Sequence, residues 1–213
     1  MAEFDEINQI HKPMAQPYET YFSEMGITKK QVDERIRFAE DFEDFLMLIV
    51  ALILTMKEFS EFSYSFVLQQ VKLGYIAILQ SVGVDDALTQ AYAEQYAENF
   101  TRTTAEHLSE SWYTSPDRVK WNAENEAVTV LGYKDFLTAK KRGFKHKRWI
   151  AFIDNKTRKT HEAINETEIP IDDYFIVGAA QMLFPKDTFT EYSTGAEHPE
   201  EVVNCRCFAR YTR

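Results

Sequence analysis

The last third of the chain contains a group of side chains that could bind a metal ion or carry out acid–base chemistry. Its members are Trp149, Asp154, Arg158, His161 and the run Asn204-Cys205-Arg206-Cys207. The sequence has two cysteines, and one residue separates them. Two thiolates and an imidazole can supply three ligands of a tetrahedral zinc site. Residues i and i+2 of a strand face the same side, so one interpretation is a structural zinc site formed by both thiols and His161, with His198 or Asp154 as fourth-ligand candidates.

Each of these residues also has a structural interpretation. The thiols could be small buried apolar groups beside a core histidine, whereas a disulfide across so short a ring would be strained. Asp154 could cap a short helix, and Arg158, one turn later, could pair with it or reach the C-terminal strand. No nucleophile motif, phosphate-binding loop or acidic metal cluster supports a hydrolytic site at Asp154, His161 and His198. We therefore predict no catalytic residue and no enzyme activity.

Long amphipathic helices are expected to fill the first half of the chain. Thr28 and Gln31 form a capping box, and apolar residues then recur at steps of three or four as far as Met56. A second helix is expected over residues 62–82, ended by Gly83, and a third follows a cap at Asp85 or Asp86. The longest apolar run, residues 45–55, is too short to cross a bilayer, and the acidic start of the chain lacks a signal-peptide pattern. We therefore expect no membrane contact and reduced cysteines.

The second half mixes helices with short strands. Asp117 is expected to open a helix that runs to about Lys141, with Gly143 beyond its end. A strand is predicted over residues 148–153, a short helix over 157–164, and further strands near 175–177 and 205–211. The fold class is therefore α+β: an N-terminal long-helix bundle or arm, then a small loop-rich mixed domain with few short strands. We place the domains at residues 1–112 and 113–213.

The net charge of −10 is unevenly distributed along the chain. Residues 1–110 contain 8 Lys and Arg against 19 Asp and Glu, whereas residues 111–213 contain 16 against 15. Basic residues concentrate in residues 134–159, which favours contact with nucleic acid or an acidic protein surface, with a solvated lysine-rich face as the alternative. The predicted contact residues are Lys140, Lys141, Arg142, Lys145, Lys147 and Arg148.

Several short motifs occur in a fixed order across the second half. They are Lys147-x-Trp149, Asp154-x-x-x-Arg158-x-x-His161, Phe175-x-Val-Gly178, Phe184-Pro185-x-Asp187 and Pro199-Glu-Glu-x-x-Asn204-Cys-Arg-Cys207. Together they resemble the phage Mu protein F family over about residues 121–211. Glu126 resembles the glutamate that often precedes the helix leading into this domain. The family commonly has a glycine after the histidine helix; this chain has Asn165-Glu166, and we expect Asn165 to adopt the left-handed turn.

The resemblance implies an architectural role in a phage head. Family members are minor head or head morphogenesis proteins of tailed phages and prophages, which associate with the portal inside the head and in some cases affect DNA packaging or delivery. It implies location in the virion after assembly in the host cytoplasm, with portal, capsid or scaffold proteins as partners and packaged DNA as a further candidate. Trp149, Asp154, Arg158, His161, Asn204 and Arg206 would then be a structural motif. Alternatives are a toxin- or nuclease-associated prophage domain, or a zinc-stabilised nucleic-acid-binding module.

Overall fold

Helices dominate the fold and are followed by short strands. A computed structural model of the chain describes residues 17–56 and 60–213, and it is 60% helical. The α-helices are α1 (Tyr18–Ser23), α2 (Lys29–Thr55), α3 (Glu61–Ser81), α4 (Ala87–Glu106), α5 (Pro116–Lys141), α6 (Lys159–Ala163) and α7 (Pro199–Val202). The strands are β1 (His146–Ile150), β2 (Glu168–Pro170), β3 (Phe175–Val177), β4 (Ala180–Met182) and β5 (Phe208–Thr212). This order confirms the predicted α+β class.

Side-chain caps define where the long helices begin. The predicted box is present at α2, where Thr28 Oγ1 accepts the Gln31 backbone N–H at 3.4 Å and Gln31 Oε1 accepts the Thr28 backbone N–H at 3.1 Å. Asp86 caps α4 by accepting the Thr89 backbone N–H at 2.8 Å. Helix α5 is capped by Ser115 and not opened by Asp117, because Pro116 fits the first helical position, where no N–H is needed.

A cluster of aromatic rings and one carboxylate joins the helices. The ring centroids of Phe42, Tyr75 and Tyr96 lie 4.7 to 5.5 Å apart, which places α2, α3 and α4 around one core. Glu126 enters this core from the middle of α5, where it accepts hydrogen bonds from Tyr75 and, at 3.0 Å, from Tyr92. Glu126 therefore lies inside α5, within the range predicted for that helix. Burial raises the pKa of its carboxyl group, and the two hydroxyls oppose that rise.

Helix α5 also packs along α2, so the main core contains residues from both predicted domains. The boundary between residues 112 and 113 stays a prediction. None of the helices in residues 17–56 and 60–213 combines the length and the apolar character that a bilayer crossing requires.

The strands form two small antiparallel sheets, in the order β2-β1-β5 and as a β3-β4 hairpin. Strand β1 ends at Ile150, three residues before the predicted end, because the Ala151 N–H bonds to the Asn165 side chain at 2.9 Å and leaves the ladder. Strand β5 begins at Phe208, so Cys205 and Cys207 lie in the loop before it and not in the predicted strand. Strands β2 and β4 have three residues each, too few to show an alternating pattern in the sequence.

Removing Asp135 should destabilise the contact between α2 and α5. Arg35 of α2 is 2% exposed, and its guanidinium donates to the Asp135 carboxylate at 2.9 Å. Asp135→Ala leaves that cation buried without its partner, so we expect the free energy of unfolding to fall by about 3 kcal/mol. Denaturant titration measures the change. Asp33→Ala, which removes the exposed partner of Lys29, is the control and should cost less than about 0.5 kcal/mol. Equal losses in the two variants would contradict this account of the α2–α5 contact.

Candidate functional site

The second half of the chain has a small apolar core of its own, built around Trp149. The indole of Trp149, on β1, is fully buried, and its ring meets His161 and Phe175 edge to face at centroid distances of 5.5 and 5.3 Å. Both cysteines pack into the same core from the loop between α7 and β5. Strand alternation explains the position of the indole, because Lys147 and Trp149 share the inner face of β1 while His146 and Arg148 face outward.

His161 and the two cysteines converge on one point in this core. His161 Nδ1 lies 3.3 Å from Cys207 Sγ and 3.6 Å from Cys205 Sγ, and each of the three residues is at most 3% exposed. On the other side of the ring, Nε2 lies 3.1 Å from Glu201 Oε2. Within the described residues, these three are the group whose ligand atoms, all within 4.8 Å of one another, have metal-binding spacing. The structure thus brings together the predicted histidine and both predicted thiols.

Hydrogen bonding within the cluster changes the acidity of its members. Burial acts to raise the pKa of the Cys205 thiol, but hydrogen bonds from Cys207 and His161 and the charge of His161 outweigh burial and lower it. The hydrogen bond to Cys205, together with burial, raises the pKa of the Cys207 thiol. Burial acts to lower the pKa of His161, whereas Cys205 and Glu201 raise it above its ordinary value. Of the two thiols, Cys205 therefore has the lower pKa.

Neither residue that we predicted as a fourth ligand belongs to this cluster. His198 pairs with Glu200 at 3.0 Å at the start of α7. Asp154 binds Arg206 at 2.5 Å and accepts the Lys156 backbone N–H at 2.8 Å. Asp154 does not cap α6 either; it closes the turn before that helix, whose N-cap position is Arg158.

The arginines of the motif connect loops. Arg158 donates to the carbonyl of Val203, just before the cysteines, and not to Asp154. Arg206 joins Asp154 to Glu24 and lies over the ring of Phe152, with its Cζ 4.4 Å from the ring centroid. Its guanidinium thus links the β1–α6 loop to the end of α1.

Asn204 connects the cysteine loop to α5. It adopts a left-handed conformation, with φ of 55°, and its side-chain oxygen accepts the Trp121 indole N–H at 2.9 Å. The Asn204 backbone N–H donates to Asn125 Oδ1 at 3.3 Å. The motif asparagine is therefore a turn residue that fixes the cysteine loop against a long helix.

Gly178 and Glu166 both have a left-handed backbone conformation, which the surrounding loops require. Gly178, between β3 and β4, has φ of +60°, and a Cβ there would lie 2.2 Å from the Glu201 carboxylate. A side chain at Gly178 would displace the carboxylate that holds His161. After α6 the left-handed residue is Glu166, with φ of 63°, and not Asn165 as predicted. The Asn165 side chain instead accepts the Ala151 N–H, while the Glu166 N–H donates to the carbonyl of Trp149 at 2.8 Å.

The structure divides the predicted basic contact set. Lys147 is fully buried, and its ammonium donates to the carbonyl of Leu183 at 2.6 Å, so it cannot contact a partner at the surface. Arg148 binds Glu166 and Glu168, and Lys140 binds Asp172. The remaining residues of the set are exposed and form no ion pair with a described residue: Lys141, Arg142 and Lys145.

The pairing of β1 with β5 brings one C-terminal arginine, Arg213, beside this exposed group. Arg142 and Arg213 lie over the Phe144 ring at 5.5 and 5.8 Å from its centroid, and the Lys145 N–H donates to the carbonyl of Thr212 at 3.0 Å. We call Lys141, Arg142, Lys145 and Arg213 the basic surface. Sequence inspection did not find Arg213, because it lies about 70 residues from the others. It also did not assign a role to Glu201, although the Pro199-Glu-Glu motif includes it.

Comparison with known proteins identifies the family. The family model described as phage Mu protein F like protein matches residues 83–210, more than half of the chain. The chain belongs to this family. It is a phage structural and head morphogenesis family. No curated protein and no solved structure gives a significant match. The matched residues include α4, α5, both sheets except the last two residues of β5, and the Trp149–His161–cysteine core of this Mu F-like chain.

Burial of Lys147 should make the free energy of unfolding of this protein depend on pH. Burial lowers the pKa of the ammonium to about 7 in the folded state, below its ordinary value of 10.5. Between these values the unfolded chain binds the proton and the folded chain does not, so stability rises with pH. Lys147→Met should remove up to about 1 kcal/mol per pH unit from that slope between pH 7.5 and 9.5.

Urea titrations at several pH values measure the slope. Lys145→Met, at an exposed position two residues earlier, is the control and should keep the slope of the unmodified protein. A slope that survives in Lys147→Met would mean that another group produces it.

Proposed function

We propose that this chain is a minor head protein of a tailed phage or prophage that acts in head assembly beside the portal. The observation that carries the proposal is the match to a head morphogenesis family, together with motif residues whose aromatic, histidine and cysteine members are buried. An internal motif fits a scaffold, whose partners bind elsewhere on its surface. We place the protein in the interior of the virion head after assembly in the host cytoplasm. The toxin- or nuclease-associated alternative stays an untested prediction.

An exposed apolar strip on α3 is the surface that we assign to the portal. Its members are Phe62, Phe66 and Leu73, which are 43 to 81% exposed. They are spaced by four and seven residues, so they share one face of α3. Aromatic side chains left in water at such density favour a protein partner. The neighbouring helix α2 carries the exposed acidic residues Glu40, Asp41 and Asp44, so the portal surface that receives the strip should be apolar with a basic rim.

Substitutions in this strip should reduce incorporation of the protein into heads. Phe62→Ser with Phe66→Ser removes two exposed rings without opening the core, so folding should be unaffected and affinity for the portal should fall about tenfold or more. Quantitative mass spectrometry of purified particles measures copies per head, and a pull-down with isolated portal measures the direct contact. Ile176→Ser with Tyr192→Ser, at exposed apolar positions outside the strip, is the matched control. Unchanged incorporation and unchanged portal binding would refute the assignment.

The basic surface is the region that we assign to packaged DNA. Lys141, Arg142 and Lys145 are exposed within a chain of net charge −10, and they form no ion pair with a described residue. Exposed cations without an acidic partner among the described residues attract phosphate without reading sequence, and the affinity that they provide falls with salt. A DNA contact here would let the protein act in packaging or delivery while its apolar strip stays on the portal.

Charge reversal tests the DNA contact directly. Lys141→Glu, Arg142→Glu and Lys145→Glu together should abolish binding to duplex DNA at low salt, because three phosphate contacts become repulsive. Fluorescence anisotropy across a salt series measures the loss. Lys29→Glu, Lys30→Glu and Arg37→Glu make the same change of net charge on α2 and should leave most of the binding in place. DNA binding that resists the first triple, or is lost equally in both, would contradict the assignment; loss of portal binding alone would make the surface a protein contact.

A further inference from the structure

We propose that His161, Cys205 and Cys207 bind one zinc ion through Nδ1 and the two Sγ atoms. Typical Zn–S and Zn–N bonds of roughly 2.3 and 2.0 Å at the tetrahedral angle put nitrogen and sulfur about 3.5 Å apart. The structure has Nδ1 at 3.3 and 3.6 Å from the two sulfurs. Both nitrogen–sulfur distances thus already fit a shared metal, and all three ligand atoms lie within 4.8 Å of one another.

The imidazole is oriented for this role from its other nitrogen. Glu201 Oε2 lies 3.1 Å from His161 Nε2, and the same carboxylate oxygen accepts the Thr160 hydroxyl at 2.7 Å. With its proton on Nε2 and directed at Glu201, the ring presents the Nδ1 lone pair to the sulfurs. A carboxylate behind a ligating histidine fixes its tautomer and raises its basicity. The Glu201 carboxylate occupies the space that a side chain at Gly178 would need, so this glycine also supports the orientation of His161.

Donors that stabilise thiolates surround the sulfurs. The Cys207 backbone N–H donates to Cys205 Sγ at 3.4 Å, and the backbone of Phe152 and the Trp149 indole act to lower the pKa of the Cys207 thiol. The Trp149 Nε1 atom is buried and has no hydrogen-bond partner within the described residues, so its N–H is available to a thiolate at Cys207. A neutral thiol makes little use of so many donors, whereas a metal-bound thiolate accepts them. Zinc binds thiolates and a free nitrogen lone pair, so binding would release every proton that the three ligand atoms carry and leave both sulfurs ionised.

Three protein ligands leave one tetrahedral position, which we assign to a water molecule. His198 and Asp154 are held elsewhere by Glu200 and Arg206, so they do not fill it. The ion would join α6 to the loop before β5, two segments about 40 residues apart in sequence. The apolar core at this place is small, and a metal link of this kind contributes directly to folding stability.

Metal content and stability are measured on the full chain, purified with a thiol reductant from zinc-supplemented medium. We expect one zinc per chain by elemental analysis, and a lower melting temperature after chelation that added zinc restores. Cys207→Ser and His161→Gln should each lose the zinc. His198→Gln, which changes the predicted ligand that lies outside the cluster, is the matched control and should retain one zinc per chain. Retention of zinc in His161→Gln, or its loss in His198→Gln, would overturn the proposed ligand set.

Cobalt(II) added to the metal-free, unmodified protein tests the site without any variant that could fail to fold. Two thiolates and a nitrogen should give sulfur-to-cobalt charge-transfer absorption and the intense visible bands of a tetrahedral ion, at one equivalent. Zinc should displace the cobalt and bleach both sets of bands. A reduced protein that binds neither metal at micromolar concentration would overturn the proposal and leave the three residues as a hydrogen-bonded core cluster.

Discussion

Helix α5 is the element on which the rest of the structure depends, because one of its faces completes the helical core and another receives the loops that follow. Glu126 projects into the aromatic cluster, while Trp121 and Asn125 project toward the cysteine loop. Asn125 Oδ1 accepts hydrogen bonds from the backbone of Asn204 and from the ammonium of Lys186. The short strands therefore do not need to build a large sheet of their own. A long helix supplies the surface on which they are ordered.

Packing the loops onto α5 buries several ionisable side chains, and removing their charges from water is unfavourable. Burial lowers the pKa of Lys186 to about 8 and raises that of Glu124 to about 7, so each is shifted toward its neutral form, while their mutual attraction opposes both shifts. Asp187 is compensated more fully, since it accepts the backbone N–H groups of Leu183 and Thr190 and thereby shapes the loop after β4. Each such group is expensive to leave unpaired. Misplaced loops would leave several of them unpaired at once, which favours a single arrangement.

The sequence predicted the local features and one distant contact, that of His161 with the cysteines, but it missed the other distant contacts. The capping box at Thr28 and the long helices follow from spacings of three and four residues, and the convergence of His161 with the cysteines follows from a motif of unusual composition. The burial of Lys147 could not be found in this way, because it depends on the carbonyl of Leu183, 36 residues later. Likewise, Asp154 pairs with Arg206, 52 residues later in the chain, and not with Arg158, one helical turn away. In a region with five-residue and three-residue strands, such contacts determine the positions of charged side chains.

The position of the family motifs bears on where function resides. Trp149, His161 and both cysteines are at most 3% exposed, and Asn204 and Arg206 are held against other segments of the chain. A substrate could not reach the buried cluster without opening the small core around it, whereas the large exposed side chains of α3 and the cations near Phe144 are accessible. Almost none of these exposed residues belongs to a motif. The motifs therefore define an internal framework, and it is the surface residues outside them that remain accessible to other molecules.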